Sequence, residues 1–175
     1  YTKAPKVRLY LNDKLIAERD VNIDTQYKAI IKLPYQPGTL KAVSVDANGK
    51  EMAESTLRTS GEPAAIRLTP DRKIISADGQ DLAFIYVDVV DKDGNIVADA
   101  DIPVTVSVKG QALLLAAASA NLKDLEPKTS PNVTTYKGKA IIVVRSGRKA
   151  GKAIISASMP KENGSKSTSL TINCK

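Results

Sequence analysis

The sequence has no histidine, no tryptophan and a single cysteine in 175 residues. Without histidine, the commonest general base and the commonest metal ligand are both gone, so a Ser-His-Asp triad, a Cys-His pair and a histidine-held metal are excluded. Cys174 stands next to last and has no partner in the chain, which excludes an intramolecular disulfide and a zinc cluster. Its own role is left open between a free thiol and an intermolecular bridge. Six tyrosines and Phe84 are the only aromatics, too few for an ordinary sugar-stacking or base-stacking platform. Apolar runs are short as well. The longest, Ala112 to Ala118, is far below the eighteen or so residues that a membrane span needs. Residues 1–6 carry neither an initiator Met nor a hydrophobic leader, and the chain reads as a piece of a longer polypeptide whose export signal lies elsewhere. By itself it is expected to be no enzyme, with no catalytic, cofactor-binding or metal-binding residue assigned and no cofactor.

What the chain does have is the periodicity of strands. Val7, Leu9 and Leu11 alternate with Arg8 and Tyr10, and Asn12-Asp13-Lys14 reads as a turn into Leu15–Glu18. Tyr27, Ala29, Ile31 and Leu33 alternate with Lys28 and Lys32, predicting a strand that Pro34 ends. Pro37-Gly38 predicts a type II turn, Leu40–Val45 a strand with a bulge at Ala42-Val43, and Asn48-Gly49 a hairpin returning through Met52–Thr59.

A polar, Pro-containing junction at residues 60–63 separates a second set of strands. Ala65–Leu68 opens it. Ala83, Ile85, Val87 and Val89 share one face of a long strand, and Ile102, Val104, Val106 and Val108 give the cleanest alternation in the chain. Further strands are predicted at Val133–Tyr136, Ala140–Arg145, Lys152–Ser158 and Ser167–Ile172. Gln111–Ala118 favours a helix on propensity, yet its neighbours are strands. It is read as a buried strand leading into a long loop, residues 119–132, with room for one helical turn. Strands recurring every 8–12 residues or so indicate antiparallel sandwiches. The expected fold is all-β: two immunoglobulin-like sandwich domains in tandem, residues 1–60 and 62–175.

Several residues invite a chemical reading. Asp91-Lys92-Asp93-Gly94-Asn95 begins like a calcium loop, but the twelfth position, where such a loop needs Glu, is Ile102. A turn that uses Asp and Gly for their backbone preferences accounts for the same residues. Asp99 and Asp101 could pair as glycosidase carboxylates about 5–9 Å apart. They fall in the turn-like run Ala98–Asp101 with no aromatic beside them, and a solvated loop is the better reading. Asn132-Val133-Thr134 and Asn163-Gly164-Ser165 match the N-glycosylation pattern, from which no function is drawn.

Charge is unevenly spread along the chain. Residues 1–61 carry net +3, residues 62–127 net −5 and residues 128–175 net +9. Interleaved strands would bring these opposite charges together. Alternatively, segment 128–175 forms a basic face for an acidic protein surface or a polyanionic glycan. Nucleic acid is not expected, since Tyr136 is the only aromatic accompanying those ten basic residues.

Two linked stretches resemble a known family. Tyr1-Thr2-x-Ala4-Pro5-x-Val7-x-Leu9-x-Leu11-Asn12-x-Lys14, followed by Leu33-Pro34-Tyr35-x-Pro37-Gly38-Thr39-Leu40-Lys41-Ala42-Val43, resembles a small domain after the catalytic barrel of bacterial family 2 glycoside hydrolases. Gly61-Glu62-Pro63-Ala64-x-Ile66-x-Leu68, Ala77-Asp78-Gly79-Gln80-Asp81-Leu82-x-Phe84 and Val87-x-Val89-Val90-Asp91-x-Asp93-Gly94 resemble the final immunoglobulin-like domain of the same enzymes. Gly138-x-Ala140 and Ala150-Gly151 fit its later part. The second stretch is also similar to the immunoglobulin-like repeats of bacterial adhesins. One segment departs from the family: Leu113–Asn121 stands where it usually carries a glycine-rich run with Asn-Gly-Asp.

The resemblance implies the non-catalytic C-terminal region of a retaining glycosidase, a β-galactosidase of Bacteroides-type bacteria, whose two catalytic Glu residues lie upstream. It implies packing on the catalytic core of the same polypeptide, oligomer contacts or a part in substrate access, and a periplasmic, secreted or cell-surface location. The alternatives are a spacer of a surface adhesin and, disfavoured by the absence of Trp, a carbohydrate-binding module.

Overall fold

A computed structural model describes residues 1–160 and 167–175. The chain is all-β, and by its contacts it divides into two compact units, Tyr1–Thr59 and Ser60–Lys175.

In the first unit β1 (Lys6–Leu11), β2 (Lys14–Asp20), β3 (Thr39–Val45) and β4 (Glu51–Arg58) form one antiparallel sheet in the order β2-β1-β3-β4. Asn12 and Asp13 both take positive φ (49° and 63°), the two-residue type I′ loop whose twist matches a hairpin. At the second hairpin the loop is longer. Asp46 Oδ1 accepts the Asn48 and Lys50 N–H groups, and Gly49 takes the positive φ of 81° that returns the chain. The expected bulge lies elsewhere: Ala42 and Val43 pair regularly with Ser55 and Glu54, and the register shifts between Ser44 and Val45.

Residues 27–33, predicted as a strand, form none. Gln26 and Tyr27 turn the chain with φ of 53° and 57°, and both sheet edges belong to other strands, β2 and β4. Pro34 and Pro37 also withhold donors from any ladder. Alternation alone offers a pleated face but does not decide whether a segment joins a sheet.

The second unit is a sandwich of two sheets. One has the order β5-β7-β11-β9, with β5 (Ala65–Pro70), β7 (Leu82–Val90), β9 (Ala112–Ala118) and β11 (Lys139–Ser146), all antiparallel. The other has the order β10-β8-β12-β13-β6, with β6 (Ile74–Ile75), β8 (Pro103–Gly110), β10 (Asn132–Thr134), β12 (Gly151–Ser158) and β13 (Ser167–Cys174). Among the described residues only the two-residue β6 pairs parallel, against β13.

The core is formed by every second residue. Ala83, Ile85, Val87 and Val89 of β7, with Ala140, Ile142 and Val144 of β11, face Val104 and Val106 of β8 and Ala153, Ile155 and Ala157 of β12. Fully burying one Val or Ile side chain is worth about 1.5–3 kcal/mol, so this face fixes the register of each strand.

β9 confirms a strand where helix propensity competed, but it is not buried. It is the edge of its sheet, and Leu113 and Leu115 face outward while Ala112 and Ala117 enter the core. The loop that follows contains turns at residues 122–123 and 128–129 and no helical turn.

Candidate functional site

The residues singled out for chemistry are held as structural elements. Both Asp91 carboxylate oxygens face donors: the N–H groups of Gly61 (2.9 Å), Asp93 (2.9 Å) and Asn95 (2.8 Å), and the Asn95 amide at 3.1 Å. A cation site needs oxygens turned inward, and here they are turned toward hydrogens. Those donors, the Gly61 N–H first and the Asn95 side chain next, hold the Asp91 carboxyl at about 2. Asp99 and Asp101 are exposed, and Asp101 accepts the Lys137 N–H at 2.8 Å. Asn132 is exposed at the start of β10 and accepts the Thr105 hydroxyl at 2.9 Å. The Asn163-Gly164-Ser165 pattern lies outside the described residues. Cys174 is buried: its thiol donates to the Gln111 carbonyl at 3.1 Å, and burial pushes its pKa up. A buried thiol of this kind is unsuited to an intermolecular bridge.

Two basic residues of segment 128–175, Lys128 and Lys139, meet acidic partners. Lys139 meets Asp88 at 2.8 Å, Lys128 meets Asp124, and the Arg148 side chain lies against Gly79, beside Asp78. Of these, the Lys139–Asp88 pair joins two strands, and the Lys128–Asp124 pair lies within one loop. Among the described residues no group of three acidic or cysteine side chains is gathered to hold a metal.

The surface that stands out is the outer face of the β5-β7-β11-β9 sheet. The register sets it in rows. Leu82, Arg145 and Leu113 share one, Phe84, Val143 and Ala116 the next, and Thr69, Tyr86, Ile141 and Ala118 the third. The fourth row is ionic: Arg67 Nη2 and Lys139 Nζ donate to the two oxygens of Asp88 at 2.9 and 2.8 Å. Burial pushes the Asp88 carboxyl up, and Lys139 and then Arg67 outweigh it, leaving the net shift downward.

An outer sandwich face normally alternates to polar residues. Here the two rows between the ionic row and the Arg145 row are apolar apart from Thr69, with Tyr86 at 52% exposure, and Leu113 beside Arg145 is 59% exposed. Leu115, the extra residue where the β9 register shifts, adds to this edge at 38%. The sequence carried a signal for this face that alternation arguments passed over. β7, β9 and β11 read as continuous apolar runs (Leu82–Val87, Ala112–Ala118, Ala140–Val144), the pattern of strands covered on both sides.

Comparison with known proteins places this architecture. Residues 66–168 match glycoside hydrolase family 2 C-terminal domain 5, and residues 1–53 match a domain of unknown function, DUF4982. The chain is 35% identical over 157 residues to a β-galactosidase, BoGH2A, of Bacteroides ovatus, covering 90% of this chain and 18% of that protein. A solved structure of a family 2 glycosyl hydrolase from Bacteroides cellulosilyticus superposes with a TM-score of 0.89 at 32% identity, over 98% of this chain and 22% of that one. A family 2 β-glucuronidase superposes with a TM-score of 0.80 at 27% identity, over 99% of this chain and 18% of that one. The chain thus spans about a fifth of the length of the relatives it matches. With its sandwich unit matched almost from end to end, the chain belongs to the glycoside hydrolase family 2 C-terminal domain 5 family.

Proposed function

We propose that the chain is the non-catalytic C-terminal region of a β-galactosidase that hydrolyses terminal β-galactosides, and that it serves the enzyme by packing on its catalytic core. The observation that carries the reading is the 35% identity to a β-galactosidase over nine-tenths of this chain but under a fifth of that enzyme. The side chains fit an accessory role: the exposed carboxylates that could imitate a glycosidase pair, Asp99 and Asp101, sit in a turn, and Asp101 is taken up by a backbone N–H. The two units would follow the catalytic barrel in the order in which they occur here, and the whole enzyme would work in the periplasm or outside the cell. Within the described residues no helix is long and apolar enough to cross a membrane.

The test compares two proteins on chromogenic β-galactosides and β-glucuronides: the full-length polypeptide and this 175-residue chain. Hydrolysis of the β-galactosides by the first alone supports the reading. Preference for β-glucuronides would replace the substrate, and a full-length protein inactive on every glycoside would favour an adhesin spacer.

A further inference from the structure

We infer that the apolar outer face of the β5-β7-β11-β9 sheet is a docking surface, and that its occupant is an apolar strip from the remainder of the same polypeptide. The inference deepens the accessory reading above and rests on it.

The face has the anatomy of an interface. Phe84, Val143, Tyr86 and Ile141 make its centre, Leu113 and Leu115 extend it along the β9 edge, and charges bound it at both ends. At one end the charge is already satisfied within the unit, with the Asp88 carboxylate shared between Arg67 and Lys139. At the other, Arg145 is exposed and offers an anchor for a carboxylate. A polar rim around an apolar centre excludes water from the contact. The loop leaving β9 adds two more apolar side chains, Leu122 and Leu125, both fully exposed. Hydrogen bonds hold that loop in shape: the Asn121 side chain accepts the Lys123 N–H at 3.0 Å, and the Ala117 N–H reaches the Lys128 carbonyl at 2.7 Å.

Size argues for a tethered occupant over a second copy. A free-standing association uses roughly 20–30 residues a side. The apolar rows and their β9 edge supply about ten, closer to the roughly 600–1,500 Å² of a contact between domains of one chain. Tethering supplies the partner at a high effective concentration, so a small apolar patch is enough. Family members matched almost throughout this chain are several times longer, and the additional polypeptide is a partner always present.

Hydroxyl-radical footprinting tests this without relying on activity. The 175-residue chain and the full-length polypeptide are labelled in parallel, and oxidation is read at Tyr86, Leu113 and Leu115. Loss of labelling at these positions in the full-length protein, with Ile154 on the opposite sheet as internal reference, is the expected result. In full-length Tyr86→Lys, labelling of Leu113 should return to the short-chain level, while the same change leaves the melting temperature of the 175-residue chain unaltered. Equal labelling of the wild-type proteins would overturn the inference. So would protection of the short chain that grows with its concentration, which would make the occupant a second copy. Glycosidase activity with undiminished labelling refutes the docking face alone, whereas protection without activity refutes the enzyme reading alone.

Discussion

The Thr135 hydroxyl accepts the Ile102 N–H at 2.8 Å and donates to the Ala100 carbonyl at 2.7 Å, joining segments more than thirty residues apart. Thr135 is 2% exposed, so both bonds are made out of contact with bulk water. The Thr135 N–H also reaches the Ile102 carbonyl at 2.9 Å, so its hydroxyl and its backbone N–H together fasten the entry to β8.

Thr135→Val keeps the shape and deletes the hydroxyl. The Ala100 carbonyl retains a second donor, the Gly138 N–H at 2.9 Å, but the Ile102 N–H is left without a partner. An orphaned buried donor costs about 1–3 kcal/mol. Chemical denaturation of the variant should show a loss of that size with an unchanged m-value. A loss below about 0.5 kcal/mol, the range of an ordinary surface change, would mean that the bond contributes nothing net.

Gly138 requires its missing side chain for two reasons. Its φ is +73°, and a Cβ would stand 2.3 Å from the Val97 carbonyl oxygen, which is backbone and cannot swing aside. With Lys137, also at positive φ, it makes the tight turn into β11. Gly138→Ala should destabilise by more than the roughly 1 kcal/mol of a simple conformational penalty, read as a lower melting temperature. The control is Gly94→Ala, whose φ is +83° and whose Cβ would meet nothing within 4 Å. The difference between the two variants isolates the clash from the dihedral strain.

The elements legible in the sequence were those whose alternation coincided with a two-sheet core. Ile102–Val108 and Lys152–Ser158 read as strands, and they are β8 and β12 at the centre of the five-stranded sheet. Residues 27–33 also alternate, with Ile30 out of phase, yet form no strand, because the chain turns at Gln26 and Tyr27 and the prolines that follow withhold donors, neither of which the alternation registers. β6 left no signal: two residues have no period, and Ile74-Ile75 is recruited by the end of β13. The outer apolar face was hidden by an inward-looking reading. Ala83, Ile85, Val87 and Val89 satisfied the core, and the interleaved Leu82, Phe84 and Tyr86 received no partner.

Asp91 ties acid stability to the turn after β7. Its folded-state pKa of about 2 lies below the roughly 3.9 of an unfolded Asp. A depressed value means that the fold favours the carboxylate, so the contribution is complete above pH ~4 and is lost as pH falls through about 2. Asp78, Asp81 and Asp88 are shifted in the same direction and add to the effect. Melting temperature should therefore decline between about pH 4 and pH 2. Asp91→Asn should be less stable at neutral pH and show a shallower decline. An identical slope in the variant would remove Asp91 from the account.

Ile154 and Ile155 are chemically identical neighbours on opposite faces of β12. Ile155 is fully buried in the sandwich core, with Leu170 of β13 and Val108 of β8 as its cross-strand partners, while Ile154 is 46% exposed on the outer face. Strand parity alone separates them, so they test the register directly. Ile155→Ala removes buried methyl groups from a packed interior and should cost about 2–5 kcal/mol. Ile154→Ala should cost much less, within about 1 kcal/mol, since part of its surface already meets water. A slip of one residue in β12 would exchange the two values, because every side chain of the strand would change faces. Equal losses would mean that the outer face of this sheet is covered in solution as well, and paired denaturation curves on the two single variants decide between these outcomes.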